Sequence, residues 1–350
     1  MQKPVAYISK HNSIFKNLAF ERFLYKREKL DRPILYFYQN SKSIIIGRNQ
    51  NPWKECKLEE IYKREISLCR RFSGGGAVYQ DLGNLCFSFI TPLEDHTKPP
   101  LNIKDENNEI LLRGLKRLGI NAEAKGRNDL ILGDKKFSGS AFEIDLGSNK
   151  VTRKVLHHGT LLMNVDLELM SFLLNPNVLK LKSKGIDSVR SRVVNLQEQF
   201  EGLKTEDLIN SITAEFYDYY GYTNLGIESF SQSDIDTNSN LKEVYDKLID
   251  DDWKLGESPS FSNSFETRFG WGLVDLHLDV KKGRIVDCKL FSDSLFPDLI
   301  DSIEHAFREG DVEYRMNSIS NLRNSIKTTD TTQKQCVTEF FDWLVEEMQK

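Results

Sequence analysis

The chain has 350 residues, with 48 Lys and Arg against 52 Asp and Glu, a net charge of −4 and a mean hydropathy of −0.46. Its 39% hydrophobic and 11% aromatic content excludes a disordered chain, and its length suits two domains with a substantial core. The near-neutral balance argues against a general nucleic-acid binder, and no apolar run approaches the roughly 18 residues of a spanning helix.

Residues 1–30 carry seven basic side chains against Glu21 and Glu28, a pattern shared with mitochondrial presequences. From Ser13 onward, however, Phe15, Leu18, Ala19 and Phe23 recur at helical spacing, so this stretch reads as a folded first helix. Strands are expected at 34–38, 43–47, 66–70, 76–80 and 84–90, the last two joined as a hairpin by Asp81-Leu82-Gly83. A helix over 103–118 puts Ile103, Ile110, Leu111, Leu115 and Leu118 on one face and stops at Gly119. Asp129–Leu132 and Lys135–Ser138 flank the tight turn Gly133-Asp134. Residues 155–163 read as a strand, 166–174 and 205–220 as helices, and Ser231–Asn240 as a polar linker before a helix at 241–250. Beyond it, Leu273–Val280 and Arg284–Phe291 form a hairpin around Lys281-Lys282-Gly283, followed by helices at 297–308, 315–326 and 331–348. The order implies an α+β fold in two parts, mixed β-sheets with covering helices over 1–250 and a small α+β unit over 251–350.

The cysteines, Cys56, Cys69, Cys86, Cys288 and Cys336, are odd in number and include no C-x-x-C pair, which speaks against a disulfide framework or a zinc knuckle. The histidines show no metal-ligand spacing, so a zinc hydrolase is not expected. His157 and His158 suggest acid–base work. Neighbours on a strand point to opposite faces, though, so one of them is expected to be structural.

Two stretches invite chemistry. In Arg70-Arg71-Phe72-Ser73-Gly74-Gly75-Gly76-Ala77-Val78-Tyr79, three consecutive glycines carry a high entropic cost. A bulge or flexible turn explains them. So does a loop whose N–H groups face phosphate oxygens, with Arg70 or Arg71 adding charge. The loop matches neither the Walker A nor the dinucleotide fingerprint. In the second stretch, Asn128 and Asp129 offer oxygen ligands for Mg²⁺ or a ribose, and a Lys before Ser138-Gly139-Ser140 could meet a phosphate or a reacting carboxylate. Taken singly, a common Asn-Asp turn and a solvated Lys-Lys pair are the stronger explanation of these residues.

Taken together with Ile45–Cys56, His157–Leu162 and Lys184–Arg192, these stretches resemble the lipoate–protein ligase A family of the biotin/lipoate ligase superfamily, almost end to end. The resemblance implies a large biotin/lipoate-ligase-type catalytic domain and a two-step ligase. Lipoate would attack the α-phosphate of ATP to give lipoyl-AMP, and an acceptor lysine would then take the lipoyl group. It further implies Lys136 as the catalytic residue, and Arg71, Ser73, Gly74, Gly75, Gly76, Ala77, Val78, Tyr79, Asn128 and Asp129 around ATP and lipoyl-AMP, with Asp129 beside Mg²⁺. Leu18, Phe20, Tyr38, Arg71 and Gln80 would form the lipoate pocket. The implied acceptors are lipoyl domains of 2-oxoacid dehydrogenase E2 subunits and the glycine cleavage H protein. The implied enzyme is a monomer, acts on lipoate or octanoate, engages neither nucleic acid nor membrane, and works in the cytoplasm or, in a eukaryote, the mitochondrial matrix.

The family commonly has histidine where this chain has Gln80, which can hydrogen bond but cannot titrate. From Lys180 to Arg192 five basic residues face Asp187 alone, a local +4 that is either a solvated face or a steering surface for acidic acceptor domains. The rival readings are a lipoyltransferase fed with preformed lipoyl-AMP, an octanoate-preferring ligase, a non-catalytic lipoate- or nucleotide-binding protein and, more remotely, a biotin ligase.

Overall fold

The computed structural model describes all residues except 1, 28, 94–98, 148–151, 176–192, 224, 232–234, 236, 257–262, 282, 311, 329 and 349–350. The basic run 180–192 therefore lies outside the described residues.

Ile34-Leu35-Tyr36-Phe37-Tyr38 is apolar at every position, the mark of a strand covered on both faces. It lies inside an eight-stranded sheet. In spatial order the strands are Ile227–Phe230 (β11), Val5–Ser9 (β1), Ile34–Tyr38 (β2), Asn84–Pro92 (β6), Lys154–Leu162 (β10), Lys135–Asp145 (β9), Asp129–Leu132 (β8) and Glu123–Lys125 (β7). β11, β1 and β2 are mutually parallel and the rest of the sheet is antiparallel. A smaller sheet sets Ser43–Ile46 (β3) between parallel Ser67–Arg70 (β4) and antiparallel Val78–Gln80 (β5).

The period of two divides the large sheet's side chains between two cores. Leu35, Phe37, Phe87 and Phe89 pack with helices Pro100–Arg117 and Thr205–Tyr219, which cross where Gly114 leaves room for Ile212. Tyr36, Ile90 and Leu156 pack with helices Ile14–Tyr25 and Ser239–Ile249. The first helix is thus a core helix. Within it Phe20 is 6% exposed and stacks on Phe230 with ring centroids 3.9 Å apart.

Local limits differ from expectation for physical reasons. The strand expected from residue 76 starts at Val78, because the Gly76 carbonyl is turned toward Arg71. The helix expected from 103 starts at Pro100, whose fixed φ suits a first turn. The segment expected as a linker over 231–240 contains buried Ile235 and the Asn238 cap of the following helix, whose side chain accepts the Leu241 N–H. The helix expected over 315–326 is Met316–Leu322 followed by a 3-10 turn, Arg323–Ser325.

Asp251–Leu255 packs on β4. Beyond it, Asn263–Phe269 (β12), Gly272–Lys281 (β13) and Arg284–Ser292 (β14) form an antiparallel sheet with its own core against helices Pro297–Glu309 and Thr331–Glu347. This small unit meets the large one through polar contacts and through an apolar patch in which Leu295 and Phe296 pack with Ala141 and Phe142. Arg48 pairs with Asp298 at 3.0 Å and with Asp301, Lys54 reaches buried Asp275 at 2.6 Å, and the Ser292 N–H donates to the Asn49 carbonyl at 2.8 Å. Among the described residues no helix is long and apolar enough to cross a membrane.

Because Phe20 sits in a stacked aromatic core, Phe20→Ala should cost about 3–5 kcal/mol. Urea unfolding reads this as a lower midpoint at unchanged slope; a loss below about 1 kcal/mol would contradict the packing described.

Candidate active site

Adjacent arginines at the end of β4 organise the site from behind. Arg70 donates to the carbonyls of Gly47, Arg48 and Gln50 at 2.7–3.1 Å and of Trp253, Lys254 and Leu255 at 2.9–3.2 Å. It ties a surface turn to a helix end and does not line the cavity described below. Arg71 turns the other way. Its guanidinium donates to the carbonyls of Ile45 (3.3 Å), Gly74 (2.6 Å) and Gly76 (2.9 Å) and to Ser73 Oγ (3.2 Å). Burial pushes the pKa of each arginine down to about 10, which still leaves both charged at neutral pH.

Drawing those carbonyls inward forces the loop through a conformation only glycine adopts readily, with Gly75 at φ +92°. Gly74 answers a different demand. A Cβ there would lie 2.0 Å from the Ser294 carbonyl oxygen of the small unit, and that same oxygen accepts the Gly75 N–H at 3.0 Å. The triple glycine is therefore both a loop shaped by Arg71 and a seat for the small unit.

In front of the loop is a cavity of about 260 Å³. Of the residues expected at the site, Leu18, Tyr38, Arg71, Gly75, Gly76, Ala77, Val78, Tyr79, Gln80, Asn128, Asp129 and Lys136 all line it. Three do not. Phe20, expected in the lipoate pocket, points into the core against Phe230, because its position on the first helix faces the aromatic cluster. Ser73 and Gly74 lie behind the wall, held by Arg71, His158 and the small unit.

The lining divides into two chemical groups. Ile14, Leu18, Tyr38, Ile45 and Val78 supply apolar surface from the first helix, β2, β3 and β5. Arg127, Asn128, Asp129 and Lys136 supply polar groups from the β7–β8 turn, β8 and β9. Lys136 Nζ pairs with Asp129 Oδ1 at 2.6 Å, and Asn128 Nδ2 donates to the Ser140 carbonyl at 2.6 Å. Lys136 can lie along its own strand because Gly139 has no side chain; a Cβ there would be 2.6 Å from Nζ. Gln80 is oriented by Asn40, whose Nδ2 donates to Gln80 Oε1 at 2.6 Å.

A buried polar line runs behind the apolar group and reaches the cavity wall at His158. His158 places Nδ1 2.9 and 3.0 Å from the Glu21 carboxylate oxygens and Nε2 2.7 Å from Ser73 Oγ, and Ser88 Oγ also donates to Glu21. Burial works against the Glu21 charge, but His158 and Ser88 outweigh it and hold its pKa below the ordinary value. His157, on the opposite face, lies between Phe87 and Phe89, and burial pushes its pKa down to about 3, leaving a neutral ring. It is the structural member of the pair. All five cysteines are buried, and burial pushes the Cys69 thiol up to about 12.

Sequence reading did not single out Glu21, Arg127, Arg268, Asp293 or Leu295. Glu21 did leave a signal, because Asn17 and Glu21 are polar residues at the core-facing spacing of the first helix, in line with Ile14, Leu18 and Leu24. Arg268, Asp293 and Leu295 line the cavity from the small unit and left no local trace. Among the described residues no three His, Cys, Asp or Glu side chains converge as a metal cage. Asp129 offers a single carboxylate, which suits Mg²⁺ arriving on phosphate oxygens, since that ion is usually held by one or two carboxylates plus substrate and water.

Residues 13–217 match the family model of the lipoyl protein ligase A/B catalytic domain, and residues 258–344 that of the bacterial lipoate protein ligase C-terminus. The chain is 38% identical over 337 residues to lipoate-protein ligase A of Psychrobacter cryohalolentis, covering 95% of each. It is similar in structure to P. falciparum LipL1 in complex with lipoate, with a TM-score of 0.83, 32% identity and 98% and 99% of the two chains covered. A lipoate-protein ligase A bound with ATP matches 73% of this chain and 99% of its own, at TM-score 0.61 and 26% identity. A bi-partite lipoate protein ligase from Thermoplasma acidophilum, studied with its E2 lipoyl domain, matches 75% of this chain and 100% of its own, at TM-score 0.62 and 26% identity.

The Glu21 network predicts a signed pH effect. With its native pKa below the ordinary 4.5, Glu21 stabilises the fold fully above that pH, and the contribution is lost as pH falls toward the native pKa. The stability difference between wild type and Glu21→Gln, measured by denaturant titration, should be largest near neutrality and shrink below about pH 4.5. A difference independent of pH would contradict the network.

Proposed function

The chain belongs to the lipoyl protein ligase A/B family and is an enzyme of the lipoate ligase class, and from its cavity we propose a two-step reaction. Lipoate and ATP would first form lipoyl-AMP and pyrophosphate. A lysine of a lipoyl domain would then take the lipoyl group and release AMP. The proposed acceptors are lipoyl domains of 2-oxoacid dehydrogenase E2 subunits and the glycine cleavage H protein. The pairing of the archaeal relative with its E2 lipoyl domain supports that class of acceptor.

One observation carries the reading: a single cavity joins an apolar wall, a glycine loop and the Lys136–Asp129 pair. The apolar wall of Leu18, Ile45 and Val78 suits a hydrocarbon and dithiolane tail. The loop backbone at Gly75–Ala77 lets a nucleotide approach closely, and Asn128 and Asp129 are candidates to bind it. Lys136 is a point charge at the end of a flexible stem, able to exchange Asp129 for the oxygens of a phosphate or a carboxylate.

In the first step a lipoate carboxylate oxygen bonds to the α-phosphorus while the bond to the β-phosphate bridge breaks, and pyrophosphate leaves with the electron pair. Lys136 would hold the carboxylate against the α-phosphate and offset the charge growing there. Mg²⁺, held by Asp129 and the phosphates, would supply further charge neutralisation. In the second step the acceptor amine attacks the acyl carbon, AMP departs with the acyl–oxygen bonding pair and the amine proton passes to solvent. Lys136 would then stabilise the carbonyl oxygen as it gains charge. Arg71 would serve mainly by shaping the loop, since its fork is committed to carbonyls.

Lipoate-dependent pyrophosphate release without acceptor should occur and should fall about 10²–10³-fold in Lys136→Ala, with an unchanged melting transition. Release undiminished in that variant would overturn the role of Lys136. No release from the wild type, alongside transfer from synthetic lipoyl-AMP, would point instead to a lipoyltransferase. Gly139→Ala should displace the ammonium and lower release about tenfold with little effect on folding. Mass spectrometry of a lipoyl domain incubated with enzyme, ATP, Mg²⁺ and lipoate should show one added lipoyl group; no mass change would sink the proposed acceptor class.

A further inference from the structure

Three cavity-lining side chains, Arg268, Asp293 and Leu295, come from the small unit. They reach the site because the turn after β14 is fastened to the large unit on both sides, by the Ser292 N–H on the Asn49 carbonyl and by the Ser294 carbonyl on the Gly75 N–H. Asp293 is committed to this turn. One of its oxygens accepts the Leu273 N–H at 2.7 Å, and the other accepts from Arg268 at 3.3 Å. Asp293 thus steers Arg268, whose side chain is 12% exposed and has this one carboxylate as its ion-pair partner among the described residues.

The charges facing the cavity show what Arg268 is available for. The cations are Arg71, Arg127, Lys136 and Arg268, against Glu55, Asp129 and Asp293. Arg71 spends its fork on loop carbonyls, Lys136 is paired with Asp129, and the Gly75 N–H is taken by Ser294. That leaves Arg127 from one unit and Arg268 from the other beside the Asp293 carboxylate, while Glu55 acts on Arg71. Two guanidinium groups brought to one cavity repel each other: burial lowers the Arg127 pKa and the charge of Arg268 adds to that, while the stronger pull of Asp293 opposes it. A multiply charged anion relieves that repulsion, and the planar guanidinium fork matches phosphate oxygens in particular.

We propose that Arg268, together with Arg127, binds the β- and γ-phosphates of ATP and the departing pyrophosphate, so that the small unit supplies a residue to the first half-reaction. This rests on the two-step reading above. When the bridge from the α-phosphate breaks, the bonding pair and its negative charge pass to pyrophosphate, and the two guanidinium groups offset that charge. No proton is consumed. Transfer from finished lipoyl-AMP involves no pyrophosphate, so Arg268 contributes to activation alone.

The test uses the full chain and two assays: lipoate-dependent exchange of labelled pyrophosphate into ATP, and lipoyl transfer from synthetic lipoyl-AMP to a lipoyl domain. Arg268→Ala should lower exchange about tenfold or more and raise the KM for pyrophosphate, while transfer changes by less than about twofold. Arg268→Lys, which keeps the charge but not the fork, should fall between the two. Arg127→Ala should shift exchange in the same direction, and it tests the site without touching the Asp293 turn if Arg268→Ala misfolds. Unchanged exchange in the Arg268 variants, or an equal loss in both assays from folded protein, overturns the assignment. A wild type without lipoate-dependent exchange overturns the ligase reading, and this assignment with it. A wild type that exchanges as well as Arg268→Ala overturns the assignment alone.

Discussion

A buried guanidinium must find acceptors or lose far more in desolvation than any surface pair returns. Arg71 finds three backbone carbonyls and a hydroxyl, and the shape of the site follows from that demand. The carbonyls of Gly74 and Gly76 turn inward, so Gly75 must take a positive φ, and the loop must be glycine-rich. Without a Cβ at Gly74 the Ser294 carbonyl can approach, so the small unit seats on the loop. With that unit seated, Arg268, Asp293 and Leu295 join the cavity wall. One buried charge thus links a strand end, a loop and the docking of a second unit.

The polar line behind the cavity works on the same principle. Glu21, His158, Ser73 and Ser88 satisfy one another where water is excluded, and Ser73 also accepts from Arg71. The apolar wall and the glycine loop are therefore joined through shared hydrogen bonds. A loss at Glu21 should be felt at the loop as well as in the fold, because an uncompensated member of such a network costs more than its pairwise bond. By contrast, the bridges between the units involving Arg48 and Lys54 are partly solvated, and pairs of that kind contribute little each. Glycine-loop contacts, polar bridges and a small apolar patch of Ala141, Phe142, Leu295 and Phe296 hold the units together.

Much of the fold was legible along the chain. The hairpin at Gly133, the helix ending at Gly119 and the alternating strand at 273–280 all depend on neighbours within a few residues, and they appear where local chemistry puts them. The hairpin expected at Asp81-Leu82-Gly83 does not form, because β5 pairs with β3 in the smaller sheet while β6 pairs with β2 and β10 in the large one. The same holds for the site's large-unit residues. Gly75–Gln80 form one short run and Asn128, Asp129 and Lys136 another, and the two runs face one cavity. Phe20 was misread because one helix carries both a cavity face and a core face, and adjacent positions such as Ala19, Phe20 and Glu21 part company by 100° of rotation.

By itself, the sequence determined the α+β class, the two-part organisation, the family resemblance and the segments that meet at the cavity. Each of these is carried by short-range patterning of glycines, turns and apolar spacing. Only the tertiary structure decided which atoms those segments commit to one another. It turned Arg71 toward carbonyls, put Ser73 and Gly74 behind the wall, separated His157 from His158 and brought Arg268 to the cavity from nearly two hundred residues away from Arg71. The reason is physical: desolvation and hydrogen-bond satisfaction depend on what surrounds a group in space, and residues distant in sequence supply most of those surroundings.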